Sequence, residues 1–253
     1  MTARGIAAVF AAGLALAACG NSNDHGFQGW VEAELIFVSP DEVGRVETLA
    51  VREGDSVTQG ALVFTVDSEL QQANVAMAQA SLTNARQAME RAQALLKSAA
   101  GTQKAVDDAD ATLRTAEARL NSAQTRLARR KVASPVTGTV QQVYFRPGEL
   151  VPATRPVVAL LPPGNVKVRF FVPEAMLPKL ALGSDVKIRC DGCGGDIDAR
   201  VTFISRSSEF TPPVIYSLEE RAKLVYLIEA RTPTPERLRV GQPVSVLLVE
   251  AKR

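Results

Sequence analysis

Two periodicities divide the middle of this chain. Over residues 44–66 and again over 138–160, apolar and polar residues alternate at period two in short runs rich in β-branched side chains, with Gly54-Asp55 and Gly148-Glu149 as turns between them. That is the pattern of half-buried strands joined tightly. The two stretches are copies. A shift of 94 residues superimposes Gly44 on Gly138, Val46 on Val140, Leu49 on Val143, Gly54 on Gly148, Val57 on Val151 and Val63 on Val157. One copy alone has an apolar face with nothing to cover it, so the repeat predicts two halves facing each other as a small β-sandwich.

Between the halves the period becomes seven. Val75, Leu82, Met89 and Leu96 recur at seven, followed three residues later by Ala78, Ala85 and Ala92; Val106, Leu113, Leu120 and Leu127 recur likewise, with Ala109, Ala116 and Ala123. Large residues followed by small ones on both arms let two helices approach closely, which predicts an antiparallel coiled-coil hairpin over 69–131. Arms of about 30 residues reach about 45 Å at 1.5 Å per residue. The reversal is expected at 98–102, which contains Gly101. The register sets Arg91 at c and Leu95 at g, off the narrow seam, where an apolar residue beside an arginine suits a small helix-on-helix contact. Leu95 can instead widen the seam, Arg91 can be a solvated face residue, and Thr102 is suited to cap the returning helix.

From residue 166 onwards strand-like segments recur at 166–172, 185–190, 199–205, 223–230 and 243–250, with a short helix expected at 173–182. With a strand at 30–37 joining them, they predict a small β-barrel or α+β domain. The expected fold is α+β and multidomain: a split β-sandwich in two halves (38–68 and 132–163), a helical hairpin (69–131), a barrel-associated strand (30–37) and a C-terminal β-barrel (164–250).

Composition narrows the function. Of 253 residues, 46% are hydrophobic and 22% charged, which excludes wholesale disorder. The 29 Lys and Arg nearly balance the 27 Asp and Glu, for a formal charge of +2, so there is no large field to hold a nucleic acid. One His and three Cys leave little for His-dependent catalysis and too few soft ligands for a tetrahedral zinc site. No catalytic residue, metal site or cofactor is expected. At the N-terminus, Arg4 precedes an apolar stretch over 5–18, shorter than the roughly 20 residues that span a bilayer, which predicts an export signal over 1–18. A polar tether over 19–29 follows and holds His25. In an oxidising envelope, Cys190 and Cys193 are expected to pair as a disulfide across a turn.

Several motifs resemble known families. Leu16-Ala17-Ala18-Cys19 resembles the bacterial lipobox, which implies cleavage before Cys19 and a lipid on that residue, with acyl chains holding the protein at a membrane surface. The repeated halves resemble those of a lipoyl or biotinyl carrier domain, but the join that would present the modified lysine is occupied by the hairpin. The stretch 90–109, ERAQALLKSAAGTQKAVDDA, resembles the hairpin tips of HlyD-type membrane fusion proteins, also called periplasmic adaptors. That family spaces an Arg, a Leu four later and a Ser seven after that; this chain has Arg91, Leu95 and Thr102, with Thr for Ser. The resemblance implies that these three dock against a TolC-like outer-membrane channel, and that the chain forms a homo-oligomeric ring, a hexamer by the same resemblance. The stretch from Phe210 through Pro212-Pro213 to Tyr226 resembles adaptors of ABC-type exporters, and the short tail after the last strand is expected to favour the same inner-membrane partner. The resulting expectation is a non-enzymatic periplasmic adaptor, lipid-anchored to the inner membrane. The alternatives are a lipid-anchored carrier, which needs a modified Lys at a turn, and a scaffold lipoprotein with no channel partner.

Overall fold

The computed structural model of the chain describes residues 26–210 and 224–249. The export signal, Cys19, His25 and Pro212-Pro213 lie outside the described residues. Contacts divide the chain into two units, Glu34–Asn165 and the remainder.

The first unit holds the sandwich and the rod. Its strands are β2 (Ile36–Val38), β3 (Gly44–Leu49), β4 (Ser56–Val57) and β5 (Leu62–Val66) from the first half of the repeat, then β6 (Lys131–Ala133), β7 (Gly138–Val143), β8 (Leu150–Val151) and β9 (Val158–Leu161) from the second. They form two four-stranded sheets in the orders β2-β9-β7-β4 and β6-β5-β3-β8. Each sheet therefore takes its two central strands from one half and its two outer strands from the other. The 94-residue repeat reappears in the bonding. Gly54 N–H donates to Val140 O at 2.9 Å and Gly148 N–H to Val46 O at 2.8 Å, while Val140 N–H donates to Asp55 O and Val46 N–H to Glu149 O. Gly54 and Gly148 hold φ of +92° and +94°, a conformation that a side chain would strain, which is why glycine recurs at this turn. Val46, Val57, Phe64, Val66 and Val140, Val151, Val158, Leu160 fill the space between the sheets.

Helix α1 (Glu69–Lys97) and helix α2 (Gln103–Ala128) form the hairpin. Leu82, Ala85, Val106 and Ala116 are buried, and the other expected seam residues are half-buried, while most positions between them are exposed. The heptad register is therefore the register of the packing. Arg86 pairs with Glu117 across the two helices.

The second unit is a closed six-stranded barrel in the order β1-β10-β13-β12-β11-β14. Its strands are β1 (Phe27–Ala33), β10 (Val166–Pro173), β11 (Asp185–Arg189), β12 (Ile197–Phe210), β13 (Leu224–Arg231) and β14 (Pro243–Leu248). Val168, Phe170, Ile188, Val201, Ile228 and Val246 are buried.

Two boundaries differ from the sequence expectation. The single strand expected at 30–37 is two: β1 begins inside the stretch read as tether and belongs to the barrel, while β2 belongs to the sandwich. Val31 and Val38 are both buried, in different units, and an odd spacing of seven would put them on opposite faces of one strand. The break at Glu34 and Leu35 resolves that conflict. Asn165 clasps it, its backbone carbonyl accepting from Glu34 N–H at 3.1 Å and its side-chain amide donating to Glu34 O at 2.8 Å. The helix expected at 173–182 is a short 3₁₀ helix, Glu174–Lys179, because Pro178 lies within it and supplies no N–H.

Candidate functional site

The far end of the hairpin is built by backbone bonds that leave one apolar side chain outside. α1 ends in a paired closure: Ala99 N–H donates to Leu96 O at 3.0 Å, and Ala100 N–H to Leu95 O at 2.9 Å. Ser98 Oγ donates to the same Leu95 carbonyl at 3.0 Å. This pattern requires a left-handed residue just past the helix, and that residue is Ala99, with φ of +58°. Gly101, expected at the reversal, serves another purpose. A Cβ there would stand 3.0 Å from Leu96 N and 3.1 Å from the carbonyl carbon of Leu95, so the returning chain passes too close for a side chain. Thr102 then opens α2, its Oγ1 accepting from Ala105 N–H at 3.2 Å. The capping role weighed for Thr102 is thus present, and it leaves the exposed residue at the surface of the tip.

Leu95 is 51% exposed, and Arg91, one turn earlier on the same face, is exposed as well. Leu95 does not widen the seam. Two other cations of the rod are paired: Lys104 with Asp108 at 2.8 Å and Arg114 with Asp110 at 2.6 Å. The hydrogen bond that Lys104 donates to Asp108, helped by the charge of that carboxylate, holds the Lys104 ammonium above its ordinary pKa. Arg91 makes no ion pair or hydrogen bond among the described residues, so its guanidinium fork is available to an incoming acceptor. An apolar side chain and an uncommitted arginine lie one turn apart on a helix locked by its cap. They provide no nucleophile or general base, and among the described residues no three His, Cys, Asp or Glu side chains gather in a way that could hold a metal.

The base of the rod contains a set of residues that sequence reasoning left without a role. Arg130 is buried at the end of the rod; it donates to Val43 O at 3.0 Å and to Glu42 Oε2 at 3.1 Å. Gln71, also buried, accepts from Arg130 Nε at 2.9 Å once its amide is oriented to suit its neighbours. Arg129 pairs with Asp41 at 3.2 Å. These contacts tie the end of α2 and the start of α1 to the loop before β3, and so set the direction in which the tip is held. One signal was present in the sequence: the 94-residue shift puts Pro135 and Val136 opposite Asp41 and Glu42, so this acidic pair belongs to one copy only.

In the barrel, Cys190 and Cys193 are brought together across the turn between β11 and β12, with Cα atoms 5.5 Å apart. Arg237 donates to Cys193 O at 2.6 Å, and Gln242 Nε2 lies 3.7 Å from Cys193 Sγ. Among the described residues no helix is long and apolar enough to cross a membrane.

Comparison with known proteins agrees with this geometry. A UPF0194 membrane protein from the asrC 5′ region of Acidithiobacillus ferridurans is 36% identical over 127 residues, covering 47% of this chain and 38% of the relative. A UPF0194 membrane protein of Yersinia enterocolitica is 33% identical over 119 residues, 46% of this chain and 36% of its own. The match thus spans little more than a third of these relatives. Among solved structures, a MacA–MexA chimera carrying the Pseudomonas aeruginosa MexA α-hairpin superimposes with a TM-score of 0.74 at 20% identity, over 89% of this chain and 81% of that one. The membrane fusion protein Spr0693 of Streptococcus pneumoniae R6 gives 0.68 at 21% identity, over 89% and 98%. These two likenesses bear on the fold. The family model for the barrel-sandwich hybrid domain of RND membrane fusion proteins matches residues 35–161, half of the chain, and covers the interlocked sandwich together with the rod. The chain belongs to that family, the RND-type membrane fusion proteins or periplasmic adaptors.

Proposed function

We propose that this adaptor completes a tripartite efflux or secretion system, joining an inner-membrane transporter to a TolC-like outer-membrane channel. The observation that carries the reading is the tip: Leu95 is exposed and Arg91 unpaired at the end of a rod whose seam is otherwise closed. Arg91 and Leu95 dock on the channel, and Thr102 contributes its position beside them while capping α2. The transporter is of the ABC type, a reading that rests on the resemblance around 210–226. Cys19 carries the lipid and holds the protein at the periplasmic face of the inner membrane. Copies assemble into a ring, a hexamer on the family resemblance. Cys190 and Cys193 are oxidised in the envelope and brace the β11–β12 turn. The exported compound passes through the assembly, and the chain itself performs no catalysis.

The test is photo-crosslinking in cells from a light-activated residue at position 95, followed by mass spectrometry of what is captured. An outer-membrane channel subunit is the expected product. Only copies of the chain itself, or nothing, would favour a self-associating scaffold and defeat the proposal. Capture of an RND pump or an ABC exporter from positions in the barrel decides the transporter class. Leu95→Asp is expected to abolish channel capture with the melting temperature unchanged, since an exposed side chain contributes little to stability.

A further inference from the structure

The turn between β11 and β12 carries Cys190 and Cys193, and the hairpin beneath it closes without them. Ile188 pairs with Ile197, and Arg189 then grips Asp196 with two bonds, Nε to Oδ1 at 2.9 Å and Nη2 to Oδ2 at 3.2 Å. The two cysteines are three apart in sequence, so their bridge closes a short loop and constrains the unfolded chain little. The bridge is also within reach. Cys190 and Cys193 are half-buried, while Asp191, Gly192, Gly194 and Gly195 are exposed. A Cβ at any of those three glycines would meet no atom within 4 Å, so nothing among the described residues packs over the turn. A disulfide that the fold neither requires nor covers is open to attack by a thiolate.

The two sulfurs differ in their surroundings. Gln242 Nε2 stands 3.7 Å from Cys193 Sγ, and the orientation of this amide is fixed, because Gln242 Oε1 accepts from Arg239 N–H at 3.1 Å. A donor therefore faces that sulfur. Gln242 is itself held to β1: Val31 N–H donates to Gln242 O at 2.9 Å, and Gly241 N–H to Val31 O at 2.8 Å. The Arg237 guanidinium, bound to the Cys193 carbonyl at 2.6 Å, has no carboxylate partner among the described residues and adds positive charge beside the same cysteine. Cys190 Sγ receives no such bond among the described residues. A donor and a cation beside a sulfur favour its thiolate and make it the better leaving group. We infer that the Cys190–Cys193 bridge is an exchangeable disulfide, opened by a dithiol whose thiolate attacks Cys190 Sγ while Cys193 leaves as a thiolate held by Gln242 and Arg237. The attack forms one S–S bond, between the incoming sulfur and Cys190, and breaks the bridge. The second thiol of the dithiol then displaces Cys190. The dithiol ends as a disulfide and the turn as two thiols, so two electrons and two protons pass to this chain. The inference rests on the envelope location proposed above only for where the dithiol is found.

The experiment uses the full-length chain, purified oxidised and folded, with reduced glutathione as the probe of attack and dithiothreitol as the probe of reduction. After glutathione and alkylation, fragment mass spectrometry is expected to place the adduct on Cys190. An adduct chiefly on Cys193 would overturn the assignment. Dithiothreitol is expected to open the bridge in the folded protein, with the melting temperature little changed. Reduction only after the chain unfolds, or a Cys190→Ala, Cys193→Ala double variant that does not fold, would make the bridge a structural necessity and overturn the inference. Gln242→Leu keeps the backbone bonds to Val31 and is expected to slow exchange about tenfold, with the melting temperature unchanged, because it removes a hydrogen bond to a charged sulfur. An unchanged rate would overturn the choice of Cys193 as leaving group. Protease access in spheroplasts tests the location separately. A protected chain whose purified form still takes glutathione on Cys190 would support the exchange and defeat the envelope reading.

Discussion

The sandwich and the rod belong to one unit of chain and treat apolar surface in opposite ways. In the sandwich, Val63, Phe64, Val151, Val157, Val158 and Leu160 have no exposed surface. In the rod only Leu82, Ala85, Val106 and Ala116 are buried among apolar residues, and Leu70, Met77 and Leu95 stand in water. Two stacked sheets cover each inward residue from both sides, whereas two helices share a single stripe. A thin rod therefore leaves most of its surface for partners, and the interlocked sandwich, helped by the clamp at its base, holds it in place.

The comparison can be strained most at its strongest point. Phe64→Ala should destabilise the protein by about 3–5 kcal/mol in denaturant unfolding, because the sheets on both sides cannot collapse into the space left. Leu82→Ala in the rod should fall at the lower end of the range for leucine, about 2 kcal/mol, since two helices can close over the gap. Equal losses at the two sites would remove the distinction. Between the regions stands Arg130. Arg130→Ala removes its bonds to Val43 and Glu42 and leaves Gln71 without its donor. Glu42 is itself 44% exposed and regains water, so the expected cost is about 1–2 kcal/mol rather than that of a fully buried pair. Hydrogen exchange should rise first at the end of α2, with the sandwich still protected; simultaneous loss in both would contradict a local clamp. The smallest effect has the opposite sign. Ala99→Gly relieves a left-handed alanine and should stabilise the hairpin by about 0.5–1 kcal/mol, with channel capture unchanged.

Much of this architecture is legible in the residue pattern. Period seven in Val75 to Leu127 describes a contact between segments that run side by side, so the seam follows from counting along the helices, whereas that Leu95 stays outside it is shown by its exposure in the fold. The 94-residue shift likewise identifies the sandwich. It does not reveal that each sheet borrows its outer strands from the other half, because alternation marks which side of a strand is covered and not which strand lies beside it. Val31 and Val38 show the same limit: both are apolar in one strand-like run, and only their burial in separate units separates β1 from β2.

At the tip and the base the contrast has a physical origin. Periodicity is a local property, repeated many times, so helix, strand and seam were settled by the order of residues alone, while the exposure of Leu95 was decided by the fold. Which residue takes the left-handed turn, and which arginine becomes a buried clamp, depends on single close approaches between distant parts of the chain. Ala99 turns because Gly101 is needed where the backbone passes Leu95 and Leu96, and Arg130 is buried because folding brings Glu42 and the Val43 carbonyl to it across 88 and 87 residues. Those choices belong to the folded chain, where one contact excludes another.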